Sequence, residues 1–278
     1  MRITGIRTQL FEIDLARPLG DANAPRGRTR AAALALMIDS DKDLTGVMVA
    51  SPSAGPVIDS LRGVLIGRDP RRVRGLWGAM VGRVFKSGNV GVTADAIGSL
   101  DIALWDLKAK AAGEPLWRLL GAAGPRVKAY ASGIDMPLDD EQLKTFYQGM
   151  AARGICGGKL KVGLDAQADR RRLRIMRDAL AESGKTPLLA IDSNEYWSPK
   201  QAIRRIRALE EEFDIAWCEE PARRWDYRGL RRVSQSVRAA VATGENLSSV
   251  ADFLPLVEQE AVDIVQVGAR TSGITGAM

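Results

Sequence analysis

Two lysines and a set of acidic residues close successive apolar runs. GGKLKVG (157–163), PLLAIDSN (187–194), IAWCEEP (215–221) and AAVATGEN (239–246) deliver Lys159 and Lys161, then Asp192, then Glu219 with Glu220, then Glu245. Lys161 to Asp192 is 31 residues, Asp192 to Glu219 is 27, and Glu219 to Glu245 is 26. Lys159 and Lys161, two apart on a strand, project to one side. Carboxylates at the ends of three neighbouring parallel strands share one mouth, where they repel and raise one another's pKa. A hard divalent cation removes that conflict, and Mg2+ takes a few carboxylates together with water and substrate oxygens. The two lysines would counter an acidic substrate or serve as a base. Any one of these charges alone reads as a solvated rim residue; in register on four strands they read as one site. The chain has no histidine. That excludes a Ser-His-Asp triad, a Cys-His dyad and a His base within these residues. Chemistry must rest on Lys, Asp, Glu, Tyr, Cys or a metal held by oxygen.

The elements that would position these groups follow from the pattern. From about residue 127, short apolar runs alternate with amphipathic stretches such as AQADRRRLRIMRDALAES and SPKQAIRRIRALEEEF. VKAYASG (127–133) precedes the four runs above and VDIVQVG (262–268) follows them, making six strands. Strands separated by helices of this length form βαβ units and a parallel sheet, and a full barrel averages about 31 residues per unit. The fold class is therefore α/β, a β/α barrel with about six of its eight strands, and the chain is expected to be cut short. Residues 1–50 read as strand, loop, strand, with MRITGIRTQLFEI and AALALMIDS around LGDANAPRGRTR. TADAIGSLDIALWDLKAKAAG (93–113) reads as a helix capped by Thr93 and ended by Gly113, with GEPLWRLLG adding a turn or two. The expected division is an α+β unit over 1–125 and a barrel unit over 126–278. Trp105, Trp117 and Trp217 are expected in the core, and Cys218 as a small buried filler.

With 278 residues, 46% hydrophobic and 27% charged, the chain can bury a core. No apolar run approaches the roughly 18 residues of a membrane span, and the charged start is unlike a signal peptide. Two isolated cysteines make neither a disulfide framework nor a zinc site and suit a reduced, cytoplasmic protein. The net charge of +6 comes from 40 basic against 34 acidic residues. The arginines cluster on amphipathic stretches without interleaved aromatics, which argues against nucleic-acid binding.

Read together, AIGSLDIALWDLKAKAAGEPLWRLLG, KLK, IDSN, CEEP, TGEN and DIVQVGARTSGITG resemble the enolase superfamily, in its mandelate racemase/muconate lactonizing branch. The resemblance covers essentially the whole chain. It implies an α+β capping domain over a modified β/α barrel, and Mg2+ held by Asp192, Glu219 and Glu245. It makes Lys161 the base, with Lys159 beside it, for removal of a proton α to a carboxylate through an ene-diolate. Loops near 20–28 and 51–56 would close over a small carboxylate, a sugar acid; Asn194 and, through the first loop, Arg17, Asp21 and Arg26 are its candidate contacts. The branch also places an Asp after the sixth strand to orient a His, whereas Gln266-Val267-Gly268 stand here. Base chemistry on one face points to an acid-sugar dehydratase, a lyase. A racemase or epimerase of a 2-hydroxy acid is the alternative, and a non-catalytic relative a third reading. Lookalikes are commonly homo-oligomers, so an oligomer is expected.

Overall fold

The computed structural model describes residues 1–278. An antiparallel sheet opens the chain: β1 (Ile3–Leu19), β2 (Arg28–Ser40) and β3 (Thr45–Ala50), in that order. Period-two alternation along β2 buries Leu34, Leu36 and Ile38 on the inner face, with Ile6 opposite Ile38 and Leu36 opposite Met48. The third strand corrects the strand–loop–strand expectation. Its six residues follow a tight turn in which Asp43 takes φ 54°, too short an interval to stand out as a separate run.

Against this sheet pack α1 (Gly55–Leu65) and the 22-residue α3 (Gly91–Ala112), and α2 (Val73–Arg83) and the short α4 (Leu116–Leu119) pack on α3. Ile97, Leu100, Leu104 and Leu107 are fully buried along α3. The helix starts ahead of Thr93: Val90 occupies the N-cap without a side-chain bond, which corrects the capping expectation. Gly113, at φ 67°, ends it in the left-handed conformation that glycine tolerates.

The remaining residues form a parallel sheet with helices between strands. They run β4 (Ala131–Ser132), α5 (Asp140–Ala152), β5 (Gly157–Lys161), α6 (Ala166–Ala181), β6 (Leu188–Asp192), α7 (Pro199–Glu210), β7 (Ile215–Glu219), α8 (Tyr227–Ser234), β8 (Ala240–Thr243), α9 (Val250–Glu258), β9 (Ile264–Val265) and α10 (Ala269–Ala277). Strand order is β4-β5-β6-β7-β8-β9, so sequence neighbours are sheet neighbours, as in a β/α barrel, here with six strands. Carboxyl side chains cap α5, α6 and α8 at Asp139, Asp165 and Asp226, and Ser198 caps α7. The outermost strands, expected as full runs, keep only two residues each.

Apolar burial divides into two cores, one of 20 residues from Ile3 to Leu107 and one of 27 from Ala131 to Ala261. The helix α10 crosses between them and lies on α3. Gly98 makes that approach possible, because a Cβ there would stand 2.3 Å from the Arg270 carbonyl oxygen. Trp105 is buried as expected, whereas Trp117 and Trp217 are only partly so. No helix is long and apolar enough to cross a membrane.

Candidate active site

Parallel pairing places the reactive residues side by side. Lys161 is level with Asp192, Asp192 with Glu219, and Glu219 with Ala242 at the end of β8. Glu245 lies two residues past that strand, beyond Gly244 at φ 131°, where a Cβ would meet the Gln266 carbonyl oxygen at 2.3 Å. Lys159, Lys161, Asp192 and Glu219 are all buried, the two carboxylates completely.

Two ammonium groups interleave with these carboxylates. Lys159 Nζ donates to Glu219 Oε1 and stands 3.2 Å from Asp192 Oδ2. Lys161 Nζ donates to Asp192 Oδ2 at 2.6 Å and to Asn194 Oδ1 at 2.7 Å. Burial opposes the charge on Lys159, but Asp192 and Glu219 outweigh it and raise its pKa, so it stays an ammonium. The Trp217 indole donates to the other oxygen of Glu219 at 3.3 Å. Glu245, exposed at the rim, is in no ion pair. Partial loss of hydration, followed by the charges of Asp192 and Glu219, raises its pKa.

Glu220, next to Glu219, is almost fully buried and its pKa is pushed up to about 8, by burial first and then by Glu245. It accepts from Asn246 Nδ2 at 2.7 Å. Its backbone is left-handed at φ 45°, as are Asn194 at 47° and Glu195 at 60°. Three such non-glycine residues at two adjacent strand ends concentrate strain where the reactive groups lie.

Over the strand ends lies a cavity of about 530 Å³ lined by Lys159, Lys161, Asn194 and Glu245 from below, by Asp21 from the 20–27 loop and by Arg28 at the start of β2. Asn23 Nδ2 ties that loop to the Asn194 carbonyl oxygen at 2.9 Å. A space with two ammonium groups, an amide and a rim of carboxylates suits a small polar acid. The donor set of Asp192, Glu219 and Glu245 is all hard oxygen and fits Mg2+ in its chemistry. As arranged here, no three acidic side chains stand around one point to hold an ion. Asp192 and Glu219 are turned to the lysines instead, so a cation would take these carboxylates in competition with the two ammonium groups.

The N-terminal domain of the mandelate racemase/muconate lactonizing enzyme family matches residues 39–121, and the enolase C-terminal domain-like family matches 142–278. The chain is 34% identical to 3,6-anhydro-alpha-L-galactonate cycloisomerase of Streptomyces coelicolor, over 97% of this chain and 77% of that protein. It is also 34% identical to L-talarate/galactarate dehydratase of Salmonella typhimurium, over 99% and 71%. Among solved structures, a racemase from Streptomyces coelicolor with bound magnesium superimposes with TM-score 0.89 at 32% identity, covering 98% of this chain and 77% of that one. L-Talarate dehydratase from Polaromonas sp. JS666, complexed with Mg and L-glucarate, gives 0.85 at 32% identity, covering 99% and 76%. The chain belongs to the mandelate racemase/muconate lactonizing enzyme family.

In this family member the structure brings together Lys159, Lys161, Asp192, Glu219, Glu245, Asn194 and Asp21. Arg17 lies elsewhere: its guanidinium donates to the Gly133 carbonyl oxygen and stacks 4.9 Å above the Phe146 ring, outside the cavity lining. Arg26 is exposed, also outside the lining, and Arg28 two residues on faces the cavity instead. Between them the loop turns at Gly27, φ 69°. Cys218 is fully buried and burial pushes its thiol pKa well up, so it is not a nucleophile.

Proposed function

We propose that this chain is a Mg2+-dependent enzyme that removes the proton α to the carboxylate of a sugar acid and expels a β-hydroxyl group, an acid-sugar dehydratase. The observation that carries this is the interleaving of Lys159 and Lys161 with Asp192 and Glu219 under one polar cavity that Glu245 also lines. Asp192, Glu219 and Glu245 would hold Mg2+, which supplies positive charge against the substrate carboxylate as negative charge develops on it. Lys159, kept charged by its neighbours, binds that same carboxylate. Lys161 takes the α-proton as a neutral amine, which requires it to release its own proton to solvent as it leaves Asp192 and turns toward the cavity; the β-hydroxyl group departs with a proton from Lys161 or solvent, so one water is lost overall. Asn194 Oδ1 then remains as the acceptor that orients the amine. The residues at the end of β9 are Gln266, Val267 and Gly268, none a base, so this strand end offers no second base beside Lys161. The related dehydratases support the lyase reading.

A second reading shares the first step. Relatives named as cycloisomerases, one of them 34% identical, favour a ring-opening or ring-closing isomerisation of an anhydro or lactone form of such an acid. Product analysis separates the two. The two unpaired cysteines support a reducing, cytoplasmic setting.

Proton NMR in D2O with Mg2+ and a panel of sugar acids tests the proposal. One α-configuration should exchange or eliminate and its epimer should do neither. Lys161→Ala should abolish exchange while binding Mg2+, and Glu219→Ala should lose Mg2+ binding by calorimetry. Exchange that survives Lys161→Ala, or comparable reaction of both epimers, overturns the assignment.

A further inference from the structure

On one side, past Lys159, the strand that carries both lysines is held by side chains rather than by a neighbouring strand. The strand β4 pairs with β5 only at Ala131 with Gly158 and Ser132 with Lys159. Beyond Ser132 the chain turns away through Ile134, left-handed at φ 47°. That would leave the Lys161 N–H, just past the last pair, without a partner. Asp135 Oδ1 accepts from the Lys161 N–H at 3.1 Å. The Tyr147 hydroxyl, from α5, donates to Asp135 Oδ2 at 2.7 Å and lies 3.1 Å from the Lys159 carbonyl oxygen. A carboxylate and a phenol therefore stand where two more residues of β4 would have stood.

The arrangement costs burial. Asp135 and Tyr147 are fully buried, and Arg172 from α6 is nearly so. Arg172 partners Asp135 Oδ1 at 3.2 Å and donates to the Asp135 and Leu138 carbonyl oxygens at 2.8 and 2.7 Å. A longer β4 would satisfy the same backbone groups without burying a charge pair. What the turn gains is a seat for the cavity's upper wall. Gly20 donates to the Ile134 carbonyl oxygen at 3.0 Å and accepts from Met136 N–H at 3.2 Å, and a Cβ on Gly20 would collide with Ala24 O at 2.4 Å. The 20–27 loop thus docks on the residues that also fix β5.

We propose that Asp135 and Tyr147 are positioning residues for the lysine pair: they lock the backbone of β5 at Lys159 and Lys161 and tie it to the loop that forms the opposite wall of the cavity. The inference rests on the reading of Lys161 as the proton-abstracting group. A displacement of about 1 Å at a reacting group costs as much as a hundredfold in rate.

The test uses the full chain with Tyr147→Phe and Asp135→Asn, the first removing only one hydroxyl and so the safer for folding. Amide exchange at Lys161 is followed by NMR against Ile191 on β6, a buried strand residue outside the cluster. The kcat and KM of α-proton exchange, and Mg2+ affinity, are measured alongside. Lys161 amide exchange should rise at least about tenfold with Ile191 unchanged, and kcat should fall about ten- to a hundredfold with KM and Mg2+ affinity within about threefold. An unchanged Lys161 amide and kcat, or equal acceleration at Ile191, overturns the proposal. If the parent exchanges no α-proton with any acid, the proposed function falls, and the amide comparison still decides whether Asp135 and Tyr147 lock the strand.

Discussion

Replacing Lys159 by methionine should destabilise the metal-free protein far more than the metal-loaded one. Methionine keeps much of the lysine stem, so lost packing is small. The ammonium sits 3.2 Å from Asp192 Oδ2 and bonds Glu219 Oε1, both carboxylates being fully buried. At an effective dielectric constant of about 20, one pair at that separation attracts by roughly 5 kcal/mol before desolvation is subtracted. Deleting one partner of a buried pair typically costs about 3–5 kcal/mol, because the other charge is stranded. Asp192 keeps Lys161, while Glu219 keeps only the Trp217 indole at 3.3 Å, so the lower end, about 3 kcal/mol, is expected. For a chain of this size that is a fall in Tm of about 6–12 °C. Calorimetric melts near neutral pH in EDTA and in excess Mg2+ measure it. In Mg2+ a cation takes over the stranded carboxylate, and the gap between parent and variant should shrink to less than about a third. Equal Tm values in EDTA would show that the ion pairs contribute nothing. An identical gap in both buffers would show that the cation does not act on these carboxylates.

Three further outcomes follow from other parts of the structure. Asp169, buried with one backbone donor from Gly163 at 3.1 Å, has its pKa raised to about 6 from 3.8, burial being the largest cause. The native state therefore holds a proton that the unfolded chain has released between about pH 4 and 6. Stability should fall by up to about 3 kcal/mol as pH rises through that window, and Asp169→Asn should flatten that part of the denaturation-versus-pH curve; an unchanged slope refutes it. Gly273→Ala should cost about 2 kcal/mol or more, read from urea melts, because φ is 72° and a Cβ would lie 2.8 Å from Asp101 Oδ2. Cys218 should resist a thiol reagent in the native protein while Cys156, partly exposed, reacts; modification of both at equal rates would contradict the burial.

What could be read from sequence was whatever strand periodicity carries. Parallel strands bring their C-terminal residues to one edge, so Lys161, Asp192 and Glu219 fall in register once the intervals are counted. Lys159 and Lys161 share a side for the same reason. The choice of partners was not legible, because torsions about side-chain bonds decide whether Asp192 faces a lysine or an ion. Nor was the role of Asp135, whose contacts reach 12 residues forward to Tyr147, 26 to Lys161 and 37 to Arg172 through atoms no periodicity describes. The loop contacts failed similarly: Arg26 and Arg28 share one stretch rich in Gly and Arg, with the left-handed Gly27 between them, while Arg17 lies upstream in β1.

The docking of α10 on α3 has a consequence for the order in which the chain becomes native. Arg270 bonds Ser51 and Asp95, and Thr275 bonds Asp101 and the Trp105 indole, across separations of 170 to 219 residues. The buried carboxyl of Asp101 has only Thr275 and its neighbouring backbone as partners. Until α10 arrives, the face of α3 that carries Asp101 lacks its covering helix, and closing so large a loop is slow. The first sheet and its helices can therefore collapse early during synthesis on the ribosome, but they reach full stability only after the strands of the second sheet have been made. Loosening of α10 should likewise weaken the first core before the second, because its hydrogen bonds fall on Ser51 and α3.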